Sequence, residues 1–224
     1  MRAADEWFEK GCRAVKWHRH RQAEQYFSRA LAIHPGWHNA RQRRALAREH
    51  LGKLREAISD YRHALKNDPQ CAWCWEYLGD VYVKMGWHRA AHGCLMRAMR
   101  LSPRESSLRY DLGEVFLKLR QYRAAIQMFQ GVRRSRRFRL LWRQGRGRAL
   151  ALLGKTELAL QDLDACVRRR PDSDETWFYR GLVRLKVHDK EGASKDLVKA
   201  GKRGRRMPPL EKLGRASLDR LLIG

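Results

Sequence analysis

The chain has 224 residues, with 49 Lys and Arg against 24 Asp and Glu and a formal charge of +25. Such an excess points to a polyanionic neighbour and carries no information about fold. No apolar stretch of about 18 residues occurs, and the first twenty residues set Asp5, Glu6 and Glu9 among Trp and Arg rather than forming a secretory apolar run. The expectation is a cytoplasmic protein with no signal peptide and no transmembrane segment. Five cysteines, odd in number and scattered, give no disulfide framework and read as thiols in a reducing compartment.

The predicted elements are helical hairpins. In residues 4–37, Trp7 and Gly11 fall on the first helix, and Ala23, Phe27 and Ala30 mark one face of the second by their i, i+4, i+7 spacing. The same places return in 38–71 as Ala45, Ala57, Tyr61 and Ala64, and in 72–105 as Trp75, Gly79, Ala91, Leu95 and Ala98. Residues 106–139 carry Gly113, Ala125, Phe129 and Val132 there, and 140–173 carry Gly147, Ala159, Leu163 and Cys166. Residues 174–207 complete the series with Trp177, Gly181, Ala193, Leu197 and Ala200, so the period is thirty-four residues throughout. Small residues at fixed places imply close helix crossings, and the bulky ones seal each hairpin on the next. Pro35, Pro69, Pro103 and Pro171 end second helices, with Arg137 and Arg205 in the corresponding places of the fourth and sixth units. After Pro208 and Pro209, the leucines at 210, 213, 218, 221 and 222 predict an amphipathic helix over 208–224 that caps the apolar end of the stack.

This spacing, with Trp at the fourth place of three units and runs such as Leu78-Gly79 followed by Tyr82, resembles the tetratricopeptide repeat. The resemblance covers 1–207 and implies an all-α, right-handed superhelical solenoid of six helix-turn-helix hairpins plus the C-terminal capping helix. Arg48 and Arg184 stand where the family prefers a large apolar residue, which implies looser or slightly re-angled hairpins there. The resemblance further implies a concave groove lined by first helices, and at its ligand-facing places this sequence has eight acids against six bases despite the global charge. The densest patch is Trp73, Glu76, Tyr77, Asp80, Tyr110, Asp111 and Glu114, which suits a peptide or protein segment carrying Arg or Lys beside apolar residues. The same residues also suit a plainer role, with carboxylates balancing basic helices and rings packed between hairpins. The family's clamp for acidic chaperone tails is absent: its places read Phe8, Cys12, Arg43, Trp73 and Tyr77.

Basic residues cluster most strongly from the fourth unit into the fifth, at Arg133, Arg134, Arg136, Arg137, Arg139, Arg143 and Arg146. Arginines on turns can engage phosphates of nucleic acid or another polyanion with strong salt dependence, or they can simply be solvated. A second cluster is Lys202, Arg203, Arg205 and Arg206, and a third is His18, Arg19, His20 and Arg21.

No catalytic constellation emerges. Gly154-Lys155-Thr156 imitates the end of a phosphate loop, but Ala149 replaces the first glycine and a helix precedes it. Cys71 and Cys74 have redox or zinc spacing without a second cysteine pair and read as structural; His88 and His92 share a helical face but lack a third ligand. The sequence therefore predicts a non-catalytic interaction scaffold without metal or cofactor, with polyanion binding as the alternative, and nothing in the pattern fixes an oligomeric state.

Overall fold

The computed structural model describes residues 2–138, 140–201 and 215–223. Among them are thirteen α-helices and no strand. The fold is an all-α helical-repeat solenoid of paired antiparallel helices, as the periodicity predicts. It divides into two compact units, 1–108 and 109–224, and the division falls inside α7 (Ser106–Lys118).

The first unit holds α1 (Arg2–Lys16) with α2 (His20–Ile33), α3 (His38–His50) with α4 (Leu54–Asn67), and α5 (Ala72–Lys84) with α6 (His88–Leu101). The second holds the remainder of α7 with α8 (Tyr122–Gly131), α9 (Leu141–Leu152) with α10 (Thr156–Arg169), α11 (Asp174–Lys186) with α12 (Lys190–Gly201), and α13 (Arg215–Ile223).

Two local rules build each hairpin. The first acts at the crossing, where Ala23, Ala57, Ala91, Ala125, Ala159 and Ala193 are all 0% exposed. Opposite Gly11, Gly79, Gly113, Gly147 and Gly181 of the first helices sits the bulky residue sixteen places later. A methyl on Gly113 would lie 2.6 Å from Phe129, and one on Gly181 would lie 2.8 Å from Leu197. The second rule acts at the turn. Residues 18, 52, 86, 120, 154 and 188 all have positive φ, between 54° and 81°. At Gly52 this left-handed residue closes the α3 C-terminus by the Schellman pattern, with Lys53 N–H donating to Arg48 C=O at 2.9 Å. Glycine fills three of these six turns, and His18, Arg120 and His188 fill the others against their steric preference.

Neighbouring hairpins are fastened by a recurrent hydrogen bond. Trp75 Nε1 donates to Pro69 O at 2.9 Å, Trp177 Nε1 to Pro171 O at 2.8 Å, and Arg41 Nη2 to Pro35 O at 2.7 Å. The fourth-place tryptophan and the closing proline thus form one device. Where Arg137 replaces proline, the second helix is shortened: α8 has 10 residues against 14 in α2, α4, α6 and α10. The chain then runs through a turn pinned by buried Val132 and Phe138.

Three findings depart from expectation. Cys71 and Cys74 are joined by a disulfide, because the first turn of α5 brings their Cα atoms to 5.3 Å, within bridging range. The thiol reading therefore holds for Cys12, Cys94 and Cys166 and is corrected for this pair, which no longer supports the argument for a reducing compartment. Arg48 and Arg184 are not left unmatched at these places. Arg48 binds Glu24 at 3.0 Å and Asp60 at 2.7 Å, and Arg184 binds Asp196 at 3.0 Å, so charge pairing takes the place of the apolar contact. Finally, α13 packs on α9 and α11 rather than extending the stack beyond α12. The expected start of that helix, 208–214, lies outside the described residues, as do Lys202, Arg203, Arg205 and Arg206.

Candidate functional site

In the first unit, the faces of α3 and α5 meet in a shallow pocket of about 170 Å³ lined by Gln42, Arg43, Leu46, Trp73 and Tyr77. Spacings of three and four residues put these side chains on one face of each helix. Three rings run inward from it. Trp73 is 39% exposed and stands edge-on to Tyr77 at 5.6 Å, and Tyr77 stacks on the fully buried Tyr61 at 6.3 Å.

Beside the rings, one turn further along, carboxylates gather. Glu49 is buried and its Oε1 accepts from Lys84 Nζ at 2.7 Å, while Glu76 accepts from the Ser107 hydroxyl at 3.2 Å. Burial, reinforced by the negative charges of Glu49 and Glu76, pushes the Asp80 carboxyl up to about 7 despite Lys84 nearby. Burial followed by Glu76 and Asp80 raises the Tyr77 hydroxyl too. The face therefore combines an exposed indole, a half-buried phenol and an acid poised to ionise near neutrality. Trp73, Glu76, Tyr77 and Asp80 belong together in this unit.

Tyr110, Asp111 and Glu114 belong to the second unit. Tyr110 is largely buried, stacked on Phe138 at 5.0 Å and edge-on to Phe129 at 5.6 Å, and burial raises its hydroxyl, with Glu114 adding to the effect. Both oxygens of Glu114 accept from Arg148 Nη1, at 2.9 and 3.0 Å. Ring and carboxylate alike are thus engaged within their own unit.

The basic cluster separates into two kinds. Arg133, Arg134, Arg136 and Arg137 are exposed on the turn after α8, where the helix has ended early. Arg146 is instead committed to a bidentate pair with Asp162 at 2.7 and 2.6 Å and lies over the Trp142 ring at 4.7 Å, and Arg143 covers the same ring at 5.1 Å. Arg139 lies outside the described residues.

Sequence reading missed what Arg146 does. Arg44–Asp60 and Arg180–Asp196 repeat its bidentate geometry, each acid being 5% exposed or less, and each arginine sits sixteen residues before its acid. The same places hold Leu78 with Cys94 and Leu112 with Met128 in the third and fourth hairpins. The signal lay in the thirty-four-residue register, where Arg and Asp appear together and disappear together.

The family model described as Tetratricopeptide repeat matches residues 8–72, 77–139 and 110–174, which is more than half of the chain. The chain belongs to the tetratricopeptide repeat family. Mouse superkiller complex protein 3 is 29% identical to it over 116 residues, covering 52% of this chain and 7% of the mouse protein. Tetratricopeptide repeat protein 37 of Xenopus laevis is 26% identical over 153 residues, 62% of this chain and 10% of that protein. Anaphase-promoting complex subunit 6 of Arabidopsis thaliana is 27% identical over 126 residues, covering 55% and 23%. This tetratricopeptide repeat chain thus matches a tenth or less of the length of the first two of these relatives. Among solved structures, pilF of Pseudomonas aeruginosa superposes with a TM-score of 0.72 at 19% identity, covering 92% of this chain and 94% of that one. YrrB, described as a tetratricopeptide repeat protein with an unusual peptide-binding site, gives 0.64 at 24% identity, covering 78% and 90%. These likenesses establish the fold.

Proposed function

We propose that the chain is a non-catalytic protein-interaction scaffold that holds a basic and apolar segment of a partner on the α3/α5 face of its first unit. The observation that carries this reading is the Trp73–Tyr77–Tyr61 row beside an acid held near neutrality at Asp80. A cation arriving there favours ionised Asp80, gains a charge-assisted hydrogen bond, and lies within reach of aromatic faces. An acidic segment meets Glu49, Glu76 and Asp80 and is repelled. Tyr110, Asp111 and Glu114 remain part of the proposed binding surface on the second unit, with Glu114 acting only if Arg148 yields it. Relatives named as a superkiller complex protein and an anaphase-promoting complex subunit agree with a scaffold role. Among the described residues no helix is long and apolar enough to cross a membrane, and no group of three or more His, Cys, Asp or Glu is placed to hold a metal.

The test is a peptide array in which pools combine Arg or Lys with aromatic and aliphatic residues, set against matched acidic pools. Basic–apolar pools should be retained, and both Tyr77→Ala and Asp80→Lys should lose them while melting as a folded helical protein. Truncating a central aromatic anchor costs about 2 kcal/mol or more. Equal retention of acidic pools, or full binding by both variants, would refute the reading.

The exposure of Arg133, Arg134, Arg136 and Arg137 favours a second activity, binding of nucleic acid or another polyanion by charge. Changing all four to Gln should advance elution from heparin and reduce the salt dependence of RNA binding by up to about four phosphate contacts. Unchanged elution would place the polyanion contact elsewhere or remove it.

A further inference from the structure

The C-terminal helix α13 lies across the first helices of the fifth and sixth hairpins, the face that the family resemblance assigns to ligands. Its contacts have the form of recognition. Arg148 Nε donates to Leu222 O at 2.7 Å and Arg148 Nη2 to Ile223 O at 2.6 Å, so one guanidinium satisfies two of the carbonyls that a helix leaves open at its C-terminus. Lys186 Nζ donates to Asp219 Oδ1 at 2.7 Å from α11. Between these anchors Leu218 and Leu222 are buried in one apolar cluster with Phe178, Tyr179 and Leu182. Arg148 is itself held by Glu114 and by the Tyr179 ring 4.6 Å from its guanidinium carbon, contacts that do not involve α13.

The helix brings little of its own stability. Its described part has nine residues, and isolated helices shorter than about 12–15 residues are marginal in water. Its order therefore comes from the face beneath it. Among its described side chains only Leu218 and Leu222 are buried, and the Asp219 side chain keeps 36% exposure. A helix packed as the next member of the stack would lie against α12, whereas this one covers α9 and α11.

We propose that the α9/α11 face is a second binding surface, occupied by the chain's own α13, and that a partner helix of the same chemistry displaces it. That chemistry is an amphipathic helix end with two leucines four residues apart and a carboxylate one turn before its last open carbonyls. The carboxylate goes to Lys186, the carbonyls to Arg148, and the leucines to the Phe178, Tyr179 and Leu182 cluster. This site prefers an acidic residue, the reverse of the α3/α5 face, and stands independently of the function proposed there.

The test uses the full chain and a fluorescein-labelled peptide of residues 215–223 as probe. In the wild type, hydrogen exchange should show α13 amides opening at least about tenfold faster than those of α9 and α11, through local rather than global unfolding. Leu222→Asp, which undocks the resident helix, should bind the peptide at least about tenfold more tightly than wild type, whose face is occupied most of the time. A peptide carrying Asp219→Lys should lose that binding, as should Arg148→Met introduced into the undocked chain. Equal protection of α13 and α11 would overturn the proposal using wild-type protein alone, whatever the folding of the variants. Equal peptide binding by wild type and a folded Leu222→Asp, or binding by neither, would also overturn it.

Discussion

Replacing Gly113 by alanine puts a methyl carbon 2.6 Å from Cε1 and 2.8 Å from Cζ of Phe129. The ring has nowhere to retreat. It is 0% exposed, Tyr110 stands edge-on to it at 5.6 Å, and Gly145 on α9 is equally close, since a methyl there would meet the same ring carbons from 2.6 Å. Overpacking of this kind costs about 1–3 kcal/mol. The helix interior gains about 0.5–1 kcal/mol when alanine replaces glycine. The net expectation is a loss of about 1–2 kcal/mol, read as a fall of about 2–4 °C in Tm for each kcal/mol in a chain of this size. Gly93 supplies the control, because it sits exposed within α6 and a methyl there meets nothing within 4 Å. Gly93→Ala should therefore gain about 0.5–1 kcal/mol by the same propensity argument. Phe129→Leu combined with Gly113→Ala should lose less than the sum of the two single changes, since the Leu opposite Gly79 and Gly147 leaves more room, 3.0 and 3.1 Å. Circular dichroism at 222 nm through thermal and urea unfolding measures all four. If Gly113→Ala melts with or above wild type while Gly93→Ala behaves as stated, the close-crossing account of the repeat fails.

Three further outcomes follow from the geometry. Asp80 keeps its proton up to about pH 7 in the folded chain against an ordinary value of 3.8, so the stability tied to its neutral form is full below pH 3.8 and is lost as pH rises through 7. Asp80→Asn should therefore match wild type in acid, melt progressively higher than it between about pH 4 and 7 and keep a constant lead above that, a trend that a flat difference in Tm across the whole range would contradict. Arg146→Leu should cost about 3 kcal/mol by stranding buried Asp162, while Arg146→Leu with Asp162→Met, which copies Leu112 and Met128, should recover most of it in urea titration. Gly86, at φ +74° with open space around it, should lose about 1 kcal/mol as alanine purely through its backbone, whereas Arg120→Gly at φ +59° should be neutral or slightly stabilising by calorimetry.

The hairpins were legible because a single constraint recurs: where two helices cross closely only Ala or Gly fits, so Ala23 and its five successors printed the register directly into the sequence. The α3/α5 face was half legible. Trp73, Glu76, Tyr77 and Asp80 came out on one face because helical spacing fixes direction, but Tyr110 and Glu114 show what spacing omits. A residue at a ligand-facing place is also free to be taken by Phe138 or Arg148. The position of α13 was not legible. Leucines at 218 and 222 state that one face is apolar without naming the surface it covers, and its anchors Arg148 and Lys186 look, in sequence, like any other groove cations. Arg137 in place of proline gave no notice that α8 would end at Gly131, and the turn that follows depends on Phe138 finding Tyr110.

The division of the crossings into Arg–Asp in the second, fifth and sixth hairpins and Leu–Cys or Leu–Met in the third and fourth bears on a hazard peculiar to chains of near-copies. A first helix emerging during synthesis has several second helices of almost the same shape to close upon, and shape alone selects poorly among them. Arg146 or Arg180 closing on α6 or α8 would meet Cys94 or Met128 and leave a guanidinium enclosed without its acid, and Leu78 closing on α10 would strand Asp162 in the same way. The pairs act as identity marks that make such mispairing costly. A duplication that inserted a copy of the fifth or sixth hairpin would carry its own mark with it and fold beside the original, whereas an exchange of single helices between the third and fifth hairpins would not.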